Sequence, residues 1–160
     1  MSYSPGIMNG TLLLGDQGQG TNSTQLYTPI GLYYDEFSNS LVIANFRAHN
    51  IVRYVFGASG WTLAAGNMNG TAGNSSTSLA GPTDMVFDPM GNMYVADRNN
   101  HRIQFFSAGE MNGTTIAGIN QTPGSNATLL NTPWALELDS QLNLYVADTN
   151  NNRIQKFLRY

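Results

Sequence analysis

The chain has 160 residues, 41% of them apolar and 11% charged, with a net charge of −3 at pH 7. That length suffices for one domain with a real core, while seven basic residues in all are too few to neutralise a phosphate backbone, so nucleic acid is not an expected partner. No apolar run approaches the roughly 18 residues of a membrane span, and the absence of cysteine excludes disulfides and thiolate metal sites.

The opening stretch, MSYSPGIMNG, has neither a charged n-region nor an apolar h-region, so no signal peptide is expected within it. Asn9-Gly10 is a hairpin-turn signal, and Thr11, Leu12, Leu13 and Leu14 follow as a short strand-like run ending at Gly15. GDQGQG at 15–20 resembles a phosphate loop only in its glycines; no helix follows to present N–H groups, so it reads as a flexible loop. TPIGLYYD (28–35) then opens a unit of four runs. A strand ending at Asn45 comes next, then a polar turn, a run from Ile51 and a last run ending at Gly66. The unit returns as GPTDMVFD (81–88) with Asp97, Ile103 and Gly118 in the same places, and again as TPWALELD (132–139) with Asp148 and Ile154.

Pro29, Pro82 and Pro133 lie 53 and 51 residues apart, and Gly15, Gly66 and Gly118 lie 51 and 52 apart. The runs are short, rich in Val, Ile, Tyr, Phe and Leu, and lack a helical period. Four antiparallel strands in a repeat of about 50 residues are the blade of a β-propeller. The expectation is therefore an all-β chain of three four-stranded blades: residues 1–15 as an outer strand for a partner blade, 16–66 as repeat 1, 67–118 as repeat 2, and 119–160 as repeat 3 without its outer strand.

PTDMVFDPMGNMYVADRNNHRIQ (82–104) resembles the NHL repeat, and PWALELDSQLNLYVADTNNNRIQ (133–155) is nearly as close. The first copy keeps the spacing but has Asn45 for the Asp and Asn50 for the Arg. The resemblance covers the whole chain and implies a propeller, typically of six blades. Some similar propellers are lyases or lactonases with a metal in the channel, which needs several His or acidic donors on inner strands. The inner strands here offer only Asp84 and Glu137, in different columns, so neither a metal nor a cofactor is expected and the chain reads as a non-enzymatic module.

The twice-written phrase YVAD…NRIQ carries a physical reading. Asp97 with Arg102, and Asp148 with Arg153, flank a tight turn where a carboxylate can accept from backbone N–H groups and from the guanidinium. In the first copy both partners change together, as a pair predicts, because one buried charge alone would be uncompensated. His49 and His101 share a column with Asn152 and read as surface turn residues, since zinc needs three or four converging donors. The expected recognition face is the channel mouth, where the inner strands begin. Its varying residues are Ile30, Thr83 and Trp134, with Asp84 beside them and Phe46, Arg98 and Thr149 in the turn column. Trp134 suits either an aromatic anchor for a peptide or sugar, or packing between blades.

Residues 4–10 align with 107–113, so the chain supplies an outer strand at one end and stops after a third strand at the other. Three blades would each have to turn by about 120° to close, whereas propellers carry about four to eight blades. Two chains give six, so a homodimer exchanging strand 11–14 is expected. Three functional readings follow: a self-assembling scaffold or binding surface, an extracellular peptide or sugar recognition domain, and a metal-dependent lyase or lactonase. Seven Asn-X-Ser/Thr triplets, at Asn9, Asn22, Asn69, Asn74, Asn112, Asn120 and Asn126, point to a secreted origin unless polar turns alone explain them.

Overall fold

A computed structural model describes residues 9–159. The chain is all-β, arranged as three antiparallel sheets in which each strand pairs with its sequence neighbour. Blade 1 contains β1 (Pro29–Asp35), β2 (Ser40–Asn45), β3 (Asn50–Val55) and β4 (Thr62–Gly66). Blade 2 contains β5 (Pro82–Phe87), β6 (Met93–Asp97), β7 (Arg102–Phe106) and β8 (Thr114–Gly118). Blade 3 contains β9 (Pro133–Leu138), β10 (Leu144–Asp148) and β11 (Arg153–Phe157). Prolines open the inner strands because the first residue of an inner edge strand need not donate to the ladder.

The second-to-third-strand connections are single turns of 3-10 helix, Phe46–Ala48, Arg98–Asn100 and Thr149–Asn151. Each closes on a left-handed residue: His49 at φ 53°, His101 at φ 57° and Asn152 at φ 51°. His and Asn are among the side chains that tolerate this conformation, which accounts for the column seen in the sequence. The sequence indicates a turn there but not its helical form, because three residues are too few to show a period.

The core lies between blades rather than inside any one sheet. Blades 1 and 2 meet through Val42, Ala44, Ile51 and Ala65 on one side and Met85, Met93, Val95 and Phe106 on the other, with Leu79 from the linker between them. Blades 2 and 3 repeat the arrangement with Ala96, Ile103 and Ala117 against Leu136, Leu144 and Val146, and Leu130 in the linker position. A buried Leu or Ile side chain gains about 1.5–3 kcal/mol over an exposed one, so these junctions hold the array together.

The two outer faces have no neighbouring blade, although Leu14 and Leu26 cover Ile43, Val52, Tyr54 and Trp61 on that of blade 1. Leu32 is 64% exposed, whereas its equivalents Met85 and Leu136 are 1% and 6% exposed. On the other face Ile154 is 68% exposed, whereas Ile51 and Ile103 are fully buried.

The expected strand over Thr11, Leu12, Leu13 and Leu14 is not formed in the single chain, since no neighbouring strand is present to take its backbone bonds. Leu12 and Leu13 are exposed, but Leu14 packs against the Ile43, Val52, Tyr54 and Trp61 cluster of blade 1. Of the segment aligned with 107–113, only Asn9 and Gly10 fall among the described residues; the rest lies outside them.

Candidate functional site

Two kinds of polar structure sit at the end of the blades where the 3-10 turns lie. The first is a staple built on the repeated phrase. Asp97 accepts the Ala80 N–H at 2.7 Å on one oxygen, and on the other Asn100 Nδ2 at 2.7 Å and Arg102 Nε at 2.8 Å. Arg102 then donates to the carbonyls of Asn74, Ser75 and Ser78 in the linker entering blade 2. Blade 3 repeats the staple: Asp148 accepts from Asn131 N–H, Asn151 and Arg153, and Arg153 donates to the carbonyls of Ser125, Asn126 and Leu129. A carboxylate buried this deeply is costly unless every lone pair is used, and here each oxygen is.

Blade 1 keeps half of this. Asn45 Oδ1 accepts the Tyr27 N–H at 2.5 Å, matching Asp97 with Ala80. No guanidinium stands in the Arg102 position, and Asn50 donates instead to the carbonyl of Asn67, in the linker leaving the blade, at 3.1 Å. Asn45 Nδ2 and Asn50 Oδ1 are buried without a partner. Blade 1 instead carries an ion pair at the other end of its sheet, Arg53 to Asp35 at 2.6 Å, with Ser38 and Ser40 also accepting from Arg53. Hydrogen bonds from Ser38 and Arg53 hold the Asp35 carboxyl below its ordinary range.

The second structure is the channel mouth, where residues of all three blades converge. The Arg98 guanidinium lies 5.8 Å from the Phe46 ring centroid and 5.2 Å from that of Trp134, so one cation from blade 2 bridges aromatic rings of blades 1 and 3. Arg98 Nε is buried with no hydrogen-bond partner. Beneath this, Thr83 Oγ1 donates to the Trp134 carbonyl at 2.7 Å, and Asp84 accepts the Leu136 N–H at 2.9 Å, stitching β5 to β9. Burial raises the Asp84 carboxyl above its ordinary value, the Leu136 N–H opposes this, and the nearby Glu137 charge adds to it. Trp134 is 39% exposed, so it both packs on Arg98 and presents ring surface to solvent. Ile30 is exposed in the same column. Thr149 is exposed, and its hydroxyl reaches only the Ala147 carbonyl, at 3.5 Å.

The histidines, expected as surface turn residues, are placed otherwise by the fold. They are half-buried, and each crosses a blade junction: His49 Nδ1 accepts the Gly81 N–H at 2.9 Å, and His101 Nδ1 accepts the Thr132 N–H at 3.1 Å. The signal available was the column itself, an acceptor-bearing residue in all three repeats. Asn100 and Asn151, the second donors to each staple carboxylate, stand in the same repeated phrase. Among the described residues no three His, Asp or Glu side chains converge as metal ligands. A cleft at the opposite end of blades 2 and 3 is lined by Tyr94, Ile116, Leu144 and Phe157, with Asp88 and Arg159 at its edge.

Sheets of this form, packed face to face around a common mouth, define a segment of a β-propeller. The NHL repeat family model matches residues 79–106 and 130–157, which are the first three strands of blade 2 and the three strands of blade 3, each with the linker end that enters it. The chain thus carries two NHL repeats within a fold of the propeller type. No curated protein sequence matches it. Among solved structures it is similar to an auxiliary nutrient binding protein from Bacteroides ovatus, at 18% identity and a TM-score of 0.63, over 78% of this chain and 36% of that one. A streptogramin B lyase aligns at 10% identity and a TM-score of 0.59, over 92% of this chain and 41% of that one. Virginiamycin B lyase from Staphylococcus aureus aligns at 14% identity and a TM-score of 0.57, over 91% and 40%. At these identities the likeness speaks to fold alone, and the chain spans between a third and about two fifths of the length of these structures.

Proposed function

We propose that this chain is a non-enzymatic propeller module that closes with a second copy into a six-bladed ring and presents the channel mouth as a scaffold or binding surface. The observation that carries the reading is the pair of open faces. Leu32 and Ile154 stand in columns that are buried wherever a neighbouring blade exists, so each face is built to receive another blade. A second copy supplies both: blade 3 of one chain faces blade 1 of the other, twice, about a two-fold axis. Each seam would bury on the order of 800 Å² per partner, the size of a standard stable interface. Light scattering across a dilution series tests it. A species of twice the 17.4 kDa chain mass, with a melting temperature that rises with concentration, supports the ring. A well-folded monomer indifferent to dilution overturns it.

A second reading, recognition of a peptide or sugar at the mouth, is favoured by the Phe46, Arg98 and Trp134 stack, which offers an aromatic face beside a cation. Peptide and glycan arrays probed with the chain and with its Trp134→Ala variant test it: hits lost in the variant support the reading, and hits shared by both overturn it.

A further inference from the structure

We infer that the seam between two copies reproduces the internal blade junctions residue for residue, with Asn152 of one copy latched to Thr28 of the other and Gly15 of the other seated on the start of β11. The inference rests on the ring reading and adds its register.

Three columns of the repeat carry it. The first is the latch. His49 takes the Gly81 N–H and His101 takes the Thr132 N–H across the two internal junctions. The donors share an unusual left-handed backbone, Gly81 at φ 63° and Thr132 at φ 54°. Thr28, before blade 1, has the same conformation at φ 55°, and its N–H has no partner among the described residues. Asn152, after blade 3, stands where the histidines do, and its side chain makes no hydrogen bond among the described residues. An amide Oδ1 accepts as an imidazole nitrogen does. The chain thus carries one unmatched donor on one open face and one unmatched acceptor on the other.

The second column is the seat of the outer strand. Gly66, at φ 85°, presses on the start of β3, where an added Cβ would meet His49 O at 2.5 Å and Asn50 Cα at 3.0 Å. Gly118, at φ 76°, presses in the same way on His101 and Arg102. Gly15 keeps the left-handed backbone at φ 99°, yet the nearest atom to a Cβ there would be Leu26 Cδ1, at 3.9 Å. The third-strand start that belongs beneath it is at the far end of the chain, at Asn152 and Arg153.

The third column is apolar. Ala117 of β8 packs into the junction with blade 3, and its equivalent Leu14 already packs on blade 1. The segment therefore lies where the outer strand of a preceding blade belongs. Both complete blades pair third and fourth strands in one register: Ile103 with Ala117 and Gln104 with Thr115, Ile51 with Ala65 and Val52 with Leu63, with Ile116 and Ala64 bulged between. The same register sets Ile154 against Leu14 and Gln155 against Leu12 of the second copy, with Leu13 at the bulge.

A chain without cysteine gives a direct readout. Leu12→Cys with Gln155→Cys should oxidise to a covalent species of twice the chain mass on a non-reducing gel, and Leu13→Cys with Gln155→Cys should not. Asn152→Ala should raise the dimer dissociation constant by about tenfold, since each ring loses two hydrogen bonds, and Asn152→His at pH 8 should restore it. A wild-type dimer whose 12–155 pair fails to link would overturn this register and leave the ring standing. A wild-type monomer would remove the ring and the latch together. A ladder of higher species would replace the closed seam with an open chain of copies.

Discussion

His49 Nδ1 accepts the Gly81 N–H at 2.9 Å across the junction of blades 1 and 2, and His101 repeats the contact to Thr132 between blades 2 and 3. A protonated imidazole has no lone pair to offer, so these contacts exist only with neutral rings. Burial lowers the folded-state pKa of both histidines below the ordinary value, with the Arg98 charge helping at His101. The folded state therefore binds fewer protons than the unfolded one in acid. The sign follows from linkage: stability is full above the ordinary histidine pKa of about 6.5 and falls as pH drops through the depressed folded values. Thermal melts at pH 7.5 and pH 5 should show this loss. His49→Asn with His101→Asn should abolish it, because the third repeat already uses Asn in that place.

Asp97→Ala should destabilise more than Asp148→Ala. Arg102 is 3% exposed and Arg153 is 28% exposed, so only the second cation can rehydrate when its carboxylate is removed. Expected losses in urea are about 3–5 kcal/mol for the first and about 1–3 kcal/mol for the second. Replacing Asp148 and Arg153 together by Asn should cost less than Asp148→Ala, since blade 1 holds that combination. Additive losses in the double-mutant cycle would count against the pairing.

Arg98→Ala should leave the fold intact, costing about 0.5–2 kcal/mol, the range for a half-shielded cation on an aromatic ring. The chain has two tryptophans, of which Trp61 is 3% exposed and Trp134 is 39% exposed. Acrylamide quenching should therefore rise in the Arg98 variant through Trp134 alone, and unchanged quenching would mean that the guanidinium does not cover that ring.

Expression in a eukaryotic secretory host should place glycans selectively. Asn22, Asn69, Asn74, Asn112 and Asn126 are exposed, but Asn120 is half-buried and donates to the Asn74 carbonyl at 2.7 Å. Mass spectrometry after enzymatic deglycosylation should find Asn120 unmodified. Full occupancy there would show that the loop opens before modification.

The blades were legible because identity and spacing agree at Pro29, Pro82 and Pro133 and again at the strand-ending glycines. The Asp–Arg staples were legible for a related reason: two residues that change together across repeats announce a mutual dependence. The junction latches were not. A histidine at a turn gives no local sign of which neighbour it meets, since its donor lies about thirty residues further along the chain. The Phe46, Arg98 and Trp134 stack was visible only as a column of differing residues, because repeats that diverge hide their partners. The strand expected at 11–14 finds no neighbouring strand among the described residues, and backbone bonding rather than propensity decides its state.

Each staple tethers the linker entering its blade. In blades 2 and 3 a guanidinium reaches that linker's carbonyls; in blade 1 Asn50 stands in its place, and Trp61 donates instead to the carbonyls of Ser23 and Gln25. Local opening should therefore concentrate in the segment entering blade 1, where among the described residues no guanidinium reaches a linker carbonyl, Asn45 Nδ2 and Asn50 Oδ1 are buried without partners, and hydrogen exchange has least to overcome. That joint is also where a second copy would dock. A closed pair would then carry its two loosest hinges on opposite sides of the ring, placed so that copies could part and re-engage while every joint inside each chain stayed shut.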